Sequence, residues 1–319
     1  MTSKTIAGAP LEVAGTNDVP LVELSALDVS TYGGVERLHA VGDAGGQYAV
    51  AAVTSDGPGE WLVSDLHELL QAAGAGETHS PVYLDGLEQL EALCVDGAGR
   101  LVLAQEEPSR LLVVDPAAGG GPRLVAQLQL DPSGDEFLAS VWDRDQNSRA
   151  EAMVLLEGGR VLIVKEKRPI CFGVFGPGAG PGETPAGSAF ELSRLPSDAA
   201  WEPQPSVSAE GDTGAESIIA EASWPAGKRI ERLGDISDAA LGPDGALYLL
   251  SDQTASIARI AELPAPGEDV RPSHTWQIAG GPAKCEGLAF AADGTCFVGV
   301  DTTKPKSNLL RIEWSALRL

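Results

Sequence analysis

The chain is short of the features that announce many protein classes. It has 319 residues but only 22 lysines and arginines against 46 aspartates and glutamates, a formal net charge of −24. Such a surface repels nucleic acids and anionic membranes, so neither is expected as a partner. No stretch reaches the roughly 18 apolar residues of a membrane span. Met1–Gly15 lacks the basic start and apolar run of a secretory leader. The four cysteines, Cys94, Cys171, Cys285 and Cys296, are scattered without zinc-ligand spacing and read as small buried hydrophobes, which fits a reduced, cytoplasmic protein. There is no Gly-x-Ser-x-Gly elbow, no phosphate-cradling glycine loop and no cysteine–histidine pair for nucleophilic catalysis. No helical periodicity of consequence runs anywhere in the chain.

What is present is a repeat. Cys285–Asp301 reads as an acid, Glu286, an apolar run, an Asp293-Gly294 turn, a second apolar run and a closing acid, Asp301. Asp-Gly between two short apolar runs is a strong hairpin signal. The unit recurs from Glu91 to Glu106, Glu151 to Glu166 and Asp238 to Asp252, with acid-to-acid spacings of 15, 15, 14 and, for Glu286, 15 residues. A weaker copy starts at Glu36 and turns at Gly45-Gly46. Each hairpin is followed by one or two further strand-like runs, and four antiparallel strands per repeat is the pattern of a β-propeller blade. The expectation is an all-β protein, a β-propeller with four-stranded antiparallel blades around a central channel. Five blades are favoured, and the long step of 87 residues between Glu151 and Asp238 leaves room for a sixth.

The chain reads as a single domain over 1–319. Pro20–Val29 is expected as a terminal strand that closes the ring beside Leu309–Trp314, with the first blade over Glu36–Tyr83. Ser64 or Asp65 is expected to cap a short helix within Leu62–Ala73. A Gly-, Pro- and Ser-rich insertion spans about 176–232. It is expected to hold strands at Phe190–Leu195 and Ser217–Ser223 and to be either a lid or a surface loop.

The first strand of a propeller blade lines the channel. Glu36, Glu91, Glu151, Asp238 and Glu286 should therefore recur at one channel end, with Glu106, Glu166, Asp252 and Asp301 across from them. Crowded carboxylates need protons, basic neighbours or cations. Hard carboxylate oxygens suit Ca²⁺ or Mg²⁺ rather than zinc; the alternative is that the acids bond to backbone amides of neighbouring blades and fix their packing. His39, three residues after Glu36, is a candidate general base; it also reads as a partly buried strand histidine.

LEALCVDGAGRLVLAQEE, AEAMVLLEGGRVLIVKEK, ISDAALGPDGALYLLSD and CEGLAFAADGTCFVGVD resemble the blade motifs of the propeller superfamily of SdiA-regulated proteins, phytase-like esterases and SMP-30-type lactonases, over about 85–319. The resemblance implies Ca²⁺ or a similar divalent ion held by channel carboxylates, and, in hydrolytic members, attack of metal-activated water on an ester, lactone or phosphoester. Glu286 matches the blade-opening acid that binds metal in lactonase-type members; a basic cluster for phytate and a matching Asn/Asp ligand set are absent. The expected site is Glu36, Glu91, Glu151 and Glu286 as metal ligands with His39 or Asp238 as base, acting on a small molecule at the channel mouth to hydrolyse or eliminate. The other reading is a non-catalytic propeller presenting its funnel to a small molecule or a protein.

Overall fold

The structure, a computed structural model, describes residues 6–42, 46–72, 90–116, 121–145, 148–178, 190–205, 216–313 and 315. The described strands form five antiparallel meanders. The first runs Leu24–Tyr32, Val35–Gly42, Gln47–Thr54 and Leu62–Asp65, with the short strand Gly57–Pro58 at its edge. The second runs Leu90–Val95, Leu101–Gln105, Arg110–Asp115 and Arg123–Asp131. The third runs Ala152–Leu156, Arg160–Lys165, Cys171–Gly176 and Glu216–Pro225. The fourth runs Asp238–Leu241, Leu247–Ser251, Ser256–Ile260 and His274–Gln277. The fifth takes Cys285–Phe290, Cys296–Val300 and Leu309–Ile312, and borrows Val13–Asn17 as its outermost strand.

The first strands of the meanders pack against one another in a closed cycle, 24–32 on 90–95, then 152–156, 238–241, 285–290 and back to 24–32. They line a central channel, and the fold is a β-propeller. Five hydrophobic cores fill the spaces between neighbouring sheets. Leu103 and Val41 belong to the core between the first and second sheets, Phe175 and Val113 to the next, and Trp224 with Leu249 to the one beyond. The second strands are largely buried, those at Leu101–Gln105 and Leu247–Ser251 along their whole length. Each such Leu, Ile or Val side chain contributes about 1.5–3 kcal/mol by leaving water.

The ring is closed by Val13–Asn17, paired antiparallel with Leu309–Ile312. Buried Asn308 locks that joint: its Oδ1 accepts from the Val19 amide at 2.8 Å, and its Nδ2 donates to the Val19 and Leu21 carbonyls at 3.0 and 3.1 Å. The expected closing strand Pro20–Val29 is thus corrected. Leu24–Tyr32 is the innermost strand of the first sheet, and that sheet begins twelve residues before Glu36. The reason is a turn. Gly33 and Gly34 both take positive φ, 61° and 75°, the backbone of a two-residue hairpin turn that suits the twist of its strands. Gly46 turns the second strand into the third.

The helix Leu66–Ala72 forms as expected, with the Asp65 carboxylate accepting from the His67 and Glu68 amides, an N-cap that satisfies two otherwise orphaned donors. Ser217–Ser223 lies in the strand Glu216–Pro225. Phe190–Leu195 forms no continuous strand; it makes isolated bridges, Phe190 with Leu263 and Arg194 with Leu156. Residues 179–189 and 206–215 of the insertion, and His79, lie outside the described residues. All four cysteines are free and buried. Among the described residues no helix is long and apolar enough to cross a membrane.

Candidate functional site

The two ends of the channel differ. At the end where the inner strands begin, the expected acid cluster is assembled in part. Glu91 and Glu286 each sit where the pairing of the first two strands slips by a residue, between Leu90 and Ala92 and between Cys285 and Gly287; Glu151 directly precedes its own inner strand. Burial raises the Glu151 carboxyl well above its ordinary range, and Glu91, Glu166 and Glu106 add repulsion. Glu286 is pushed up to about 8, first by burial and then by Asp252, Asp301, Asp235 and Glu91. Glu106 rises to about 7 for the same leading reason. Sequence reading thus located the cluster, and Asp235 is the member it missed.

Two cations reach this cluster. Lys284 pairs with Asp301 at 2.5 Å and Lys167 pairs with Glu166. Lys165 is buried instead among the Ser148 hydroxyl and the Lys167 carbonyl. The donors are chemically right for a hard cation, but among the described residues no three of His, Cys, Asp and Glu converge closely enough to hold one. The ring of Glu36, Glu91, Glu151 and Glu286 does not form as a ligand set. Glu36 is the member that fails most plainly: it stands on the second strand of its sheet, lines the opposite mouth, and accepts from the Ala292 amide at 2.6 Å.

Asp238 also leaves the cluster. It lies on the inner strand, 4% exposed, with Oδ1 accepting from the Ala239 amide at 2.7 Å and Oδ2 from Leu288 of the next sheet at 2.6 Å. Its place at the channel end is taken by Ser237, whose hydroxyl donates to the Cys285 carbonyl at 2.5 Å, as Ser25 donates to Leu90 at 3.0 Å. These are contacts that join one inner strand to the next. Cys94 makes another, donating from Sγ to the Met153 carbonyl at 3.3 Å.

At the other end the channel opens into a cavity of about 500 Å³, a size proper to a small molecule. Its apolar walls include Leu27, Leu93, Met153, Leu241 and Phe290. Polar groups share the lining, among them Asp28, Ser30, Glu36, Asp96 and Arg194. Asp28 is half-buried in the wall, its Oδ2 accepting from the Val95 amide at 2.6 Å and Oδ1 from Val29 at 2.8 Å. Burial pushes its carboxyl up to about 7; the two amides and the nearby Arg194 guanidinium act against that rise. No sequence motif marked Asp28, because it stands alone in an apolar strand.

His39 lies opposite Asp28 in the strand pairing. It is buried, and burial together with Arg37 lowers its pKa to about 3, so the ring is neutral. Its Nδ1 lies 2.6 Å from the Tyr48 hydroxyl and its Nε2 2.8 Å from Ser30 Oγ. Burial raises the Tyr48 pKa and keeps its proton in place. The neutral ring has one N–H and one acceptor nitrogen; with the Tyr48 phenol donating to Nδ1, the N–H sits on Nε2 and donates to Ser30. The Ser30 proton is then left for the cavity that Ser30 lines. His39 therefore orients a hydroxyl, and the general-base role expected for it is displaced.

A strap covers one side of the mouth. Phe190 donates its amide to the Leu263 carbonyl of the fourth sheet at 3.2 Å. The Ser193 carbonyl accepts from Glu157 at 2.9 Å, and Ala199 accepts from Gly97 of the second sheet at 2.8 Å. The strap is then anchored by Trp201, fully buried, whose amide donates to Asp96 Oδ2 at 2.9 Å and whose indole donates to the Arg160 carbonyl at 2.8 Å. Arg194, exposed, and Ser197 of this strap line the cavity.

No protein-family model matches the chain, and no curated protein does. Solved structures similar to it include virginiamycin B lyase from Staphylococcus aureus, at 12% identity over 94% of this chain and 71% of that one with a TM-score of 0.39. They also include the calcium-binding protein regucalcin from Agrobacterium tumefaciens, at 14% identity over 92% of this chain and 73% of that one with a TM-score of 0.38. A third is a putative gluconolactonase, at 13% identity over 95% of this chain and 83% of that one with a TM-score of 0.39. Likeness at this level carries no functional argument; the propeller fold rests on the strand pairing itself.

Proposed function

We propose that the chain is a propeller enzyme of the hydrolase or lyase kind, acting on a small ester or lactone in the cavity at the channel mouth. One observation carries this reading: Asp28, a carboxyl held at about 7, lines a cavity of small-molecule size. A group with a pKa near the working pH serves best as both acid and base. In the proposed hydrolysis Asp28 takes a proton from a water molecule as its oxygen bonds to the carbonyl carbon. The acyl–oxygen bond then breaks, and the proton passes from Asp28 to the leaving alkoxide. Ser30, fixed by His39, donates its free proton to the carbonyl oxygen, where charge develops.

The carboxylates at the acidic end do not converge on a metal-holding geometry among the described residues, and the reaction is drawn from Asp28 and Ser30 alone. A phosphoester substrate loses support, since a cation is what that chemistry most needs. The second reading, a binding propeller without turnover, is favoured by one fact: both Asp28 oxygens already accept amide protons.

A panel of aryl esters and lactones tests the proposal. Wild-type protein should turn over at least one of them with a rate that changes through pH 7, and Asp28→Asn should lose at least 100-fold. Turnover that is flat through pH 7 and survives Asp28→Asn contradicts it. Circular dichroism and a melting curve of Asp28→Asn separate lost chemistry from lost fold.

A further inference from the structure

Arg194 lines the cavity in a chain with about twice as many acids as bases. Arg100, Arg149, Arg160, Arg168, Arg259 and Arg271 each pair with a carboxylate. Arg194 makes no ion pair or hydrogen bond with any described residue through its side chain, although it is the cation acting on Asp28 and on Cys94 in the channel wall. Its position is set by backbone: the strap bridges Arg194 to Leu156, and Leu195 donates to the Leu155 carbonyl at 3.4 Å. A fixed strap thus carries an exposed guanidinium to the wall of a cavity whose three acids, Asp28, Glu36 and Asp96, already hold protein donors. The same cavity is lined by Ser30, whose proton the His39–Tyr48 pair leaves free.

A guanidinium offers a planar fork of donors that matches a carboxylate. A hydroxyl proton in the same wall suits a second oxygen acceptor. The lining also supplies an apolar surface, with Leu27, Leu93, Met153, Leu241 and Phe290 in it. We infer that the ligand of this cavity is a small monocarboxylate with an apolar body, and that Arg194 is the residue that selects its anionic group. A single guanidinium with no lysine in the lining fits a carboxylate of one negative charge better than a phosphate dianion. With a net charge of −24 the protein surface repels anions, so a local cation is what makes a carboxylate ligand admissible. The inference deepens the reading of the cavity as the functional site and rests on that reading for its location, while its test is independent of turnover.

The test uses benzoate and its neutral isostere benzamide, titrated into the full-length protein and followed by ligand-observed NMR. Benzoate should bind wild-type protein at least tenfold more tightly than benzamide. Arg194→Gln should weaken benzoate at least tenfold and leave benzamide unchanged, and Arg194→Lys should restore part of the loss, because it keeps the charge without the fork. Since Arg194 is exposed, the melting temperature of both variants should match the wild type. Equal binding of benzoate and benzamide, or benzoate binding that ignores Arg194→Gln, overturns the inference. Benzoate binding that depends on Arg194 in a protein that turns over no ester or lactone sustains it and defeats the hydrolase reading instead. Turnover of neutral esters that is untouched by Arg194→Gln and not inhibited by benzoate does the reverse.

Discussion

The Asp238 carboxylate accepts the Leu288 amide proton at 2.6 Å, tying the inner strand of the fourth sheet to that of the fifth. Asp28 repeats the device between the first and second sheets, accepting from Val95 at 2.6 Å. Each aspartate also holds the amide that follows it in the chain, Ala239 and Val29. Buried carboxylates in this channel are thus clamps between neighbouring sheets as well as candidate acids and bases.

Removing a clamp exposes its cost. Asp238→Ala leaves the Ala239 and Leu288 amides without their acceptor in a buried site, and each unsatisfied donor costs about 1–3 kcal/mol. Denaturant unfolding should show a loss of about 2–5 kcal/mol, with Asp238→Asn losing less because one oxygen acceptor remains. A loss under about 0.5 kcal/mol, ordinary for a surface change, contradicts the clamp.

The acidic end predicts a pH dependence with a definite sign. Glu286 and Glu106 are held at about 8 and about 7, and Glu151, Glu166 and Asp235 are also raised. An unfolded carboxyl titrates near 4. Between those values the folded state holds protons that the unfolded state has released, so this contribution to stability is present in full below the unfolded pKa and is lost as pH rises through 7 to 8. The melting temperature should therefore climb as pH is lowered from 9 to 6. Glu286→Gln removes one of these titrations and should melt above wild type at pH 9, with the gap closing by pH 5. A melting temperature that falls on acidification over this range contradicts the assignment.

The strap predicts a separable loss. A Cβ on Gly97 would lie 2.3 Å from the Asp198 carbonyl carbon and 2.4 Å from the Ala199 nitrogen. Both are backbone atoms, so the strap itself must move. Gly97→Ala should raise amide exchange of the strap residues and weaken ligand binding in the cavity, while exchange in Leu247–Ser251, remote in the fourth sheet, stays slow. Unchanged exchange in the strap would show that it is held elsewhere.

The hairpin repeat made the propeller legible, because a two-residue side-chain period broken by Asp-Gly or Gly-Gly turns is local information. The 15-residue acid spacing likewise gathered Glu91, Glu151 and Glu286. The single spacing of 14 was the warning at Asp238: a one-residue slip turns a strand side chain to the other face, and Ser237 occupies the equivalent place. Glu36 misled because its match to the acid pattern outweighed the Gly33-Gly34 turn, which marks the true first hairpin. Asp28 carries no motif, and its importance comes from the strand pairing that sets it opposite His39. Of the strap only its place in the insertion was legible, and the strand expected at Phe190–Leu195 is replaced by isolated bridges. The strap is aperiodic, and its order comes from distant contacts such as Gly97 with Ala199, which no local pattern encodes.

The measurement that bears most directly on the central claim is turnover of the ester and lactone panel by Asp28→Asn and Glu286→Gln side by side. The account predicts that Asp28→Asn loses at least 100-fold while Glu286→Gln keeps wild-type rates, since the reaction belongs to the cavity and not to the acidic end of the channel. Loss of activity in Glu286→Gln with Asp28→Asn unimpaired would contradict it and return the chemistry to the acid cluster.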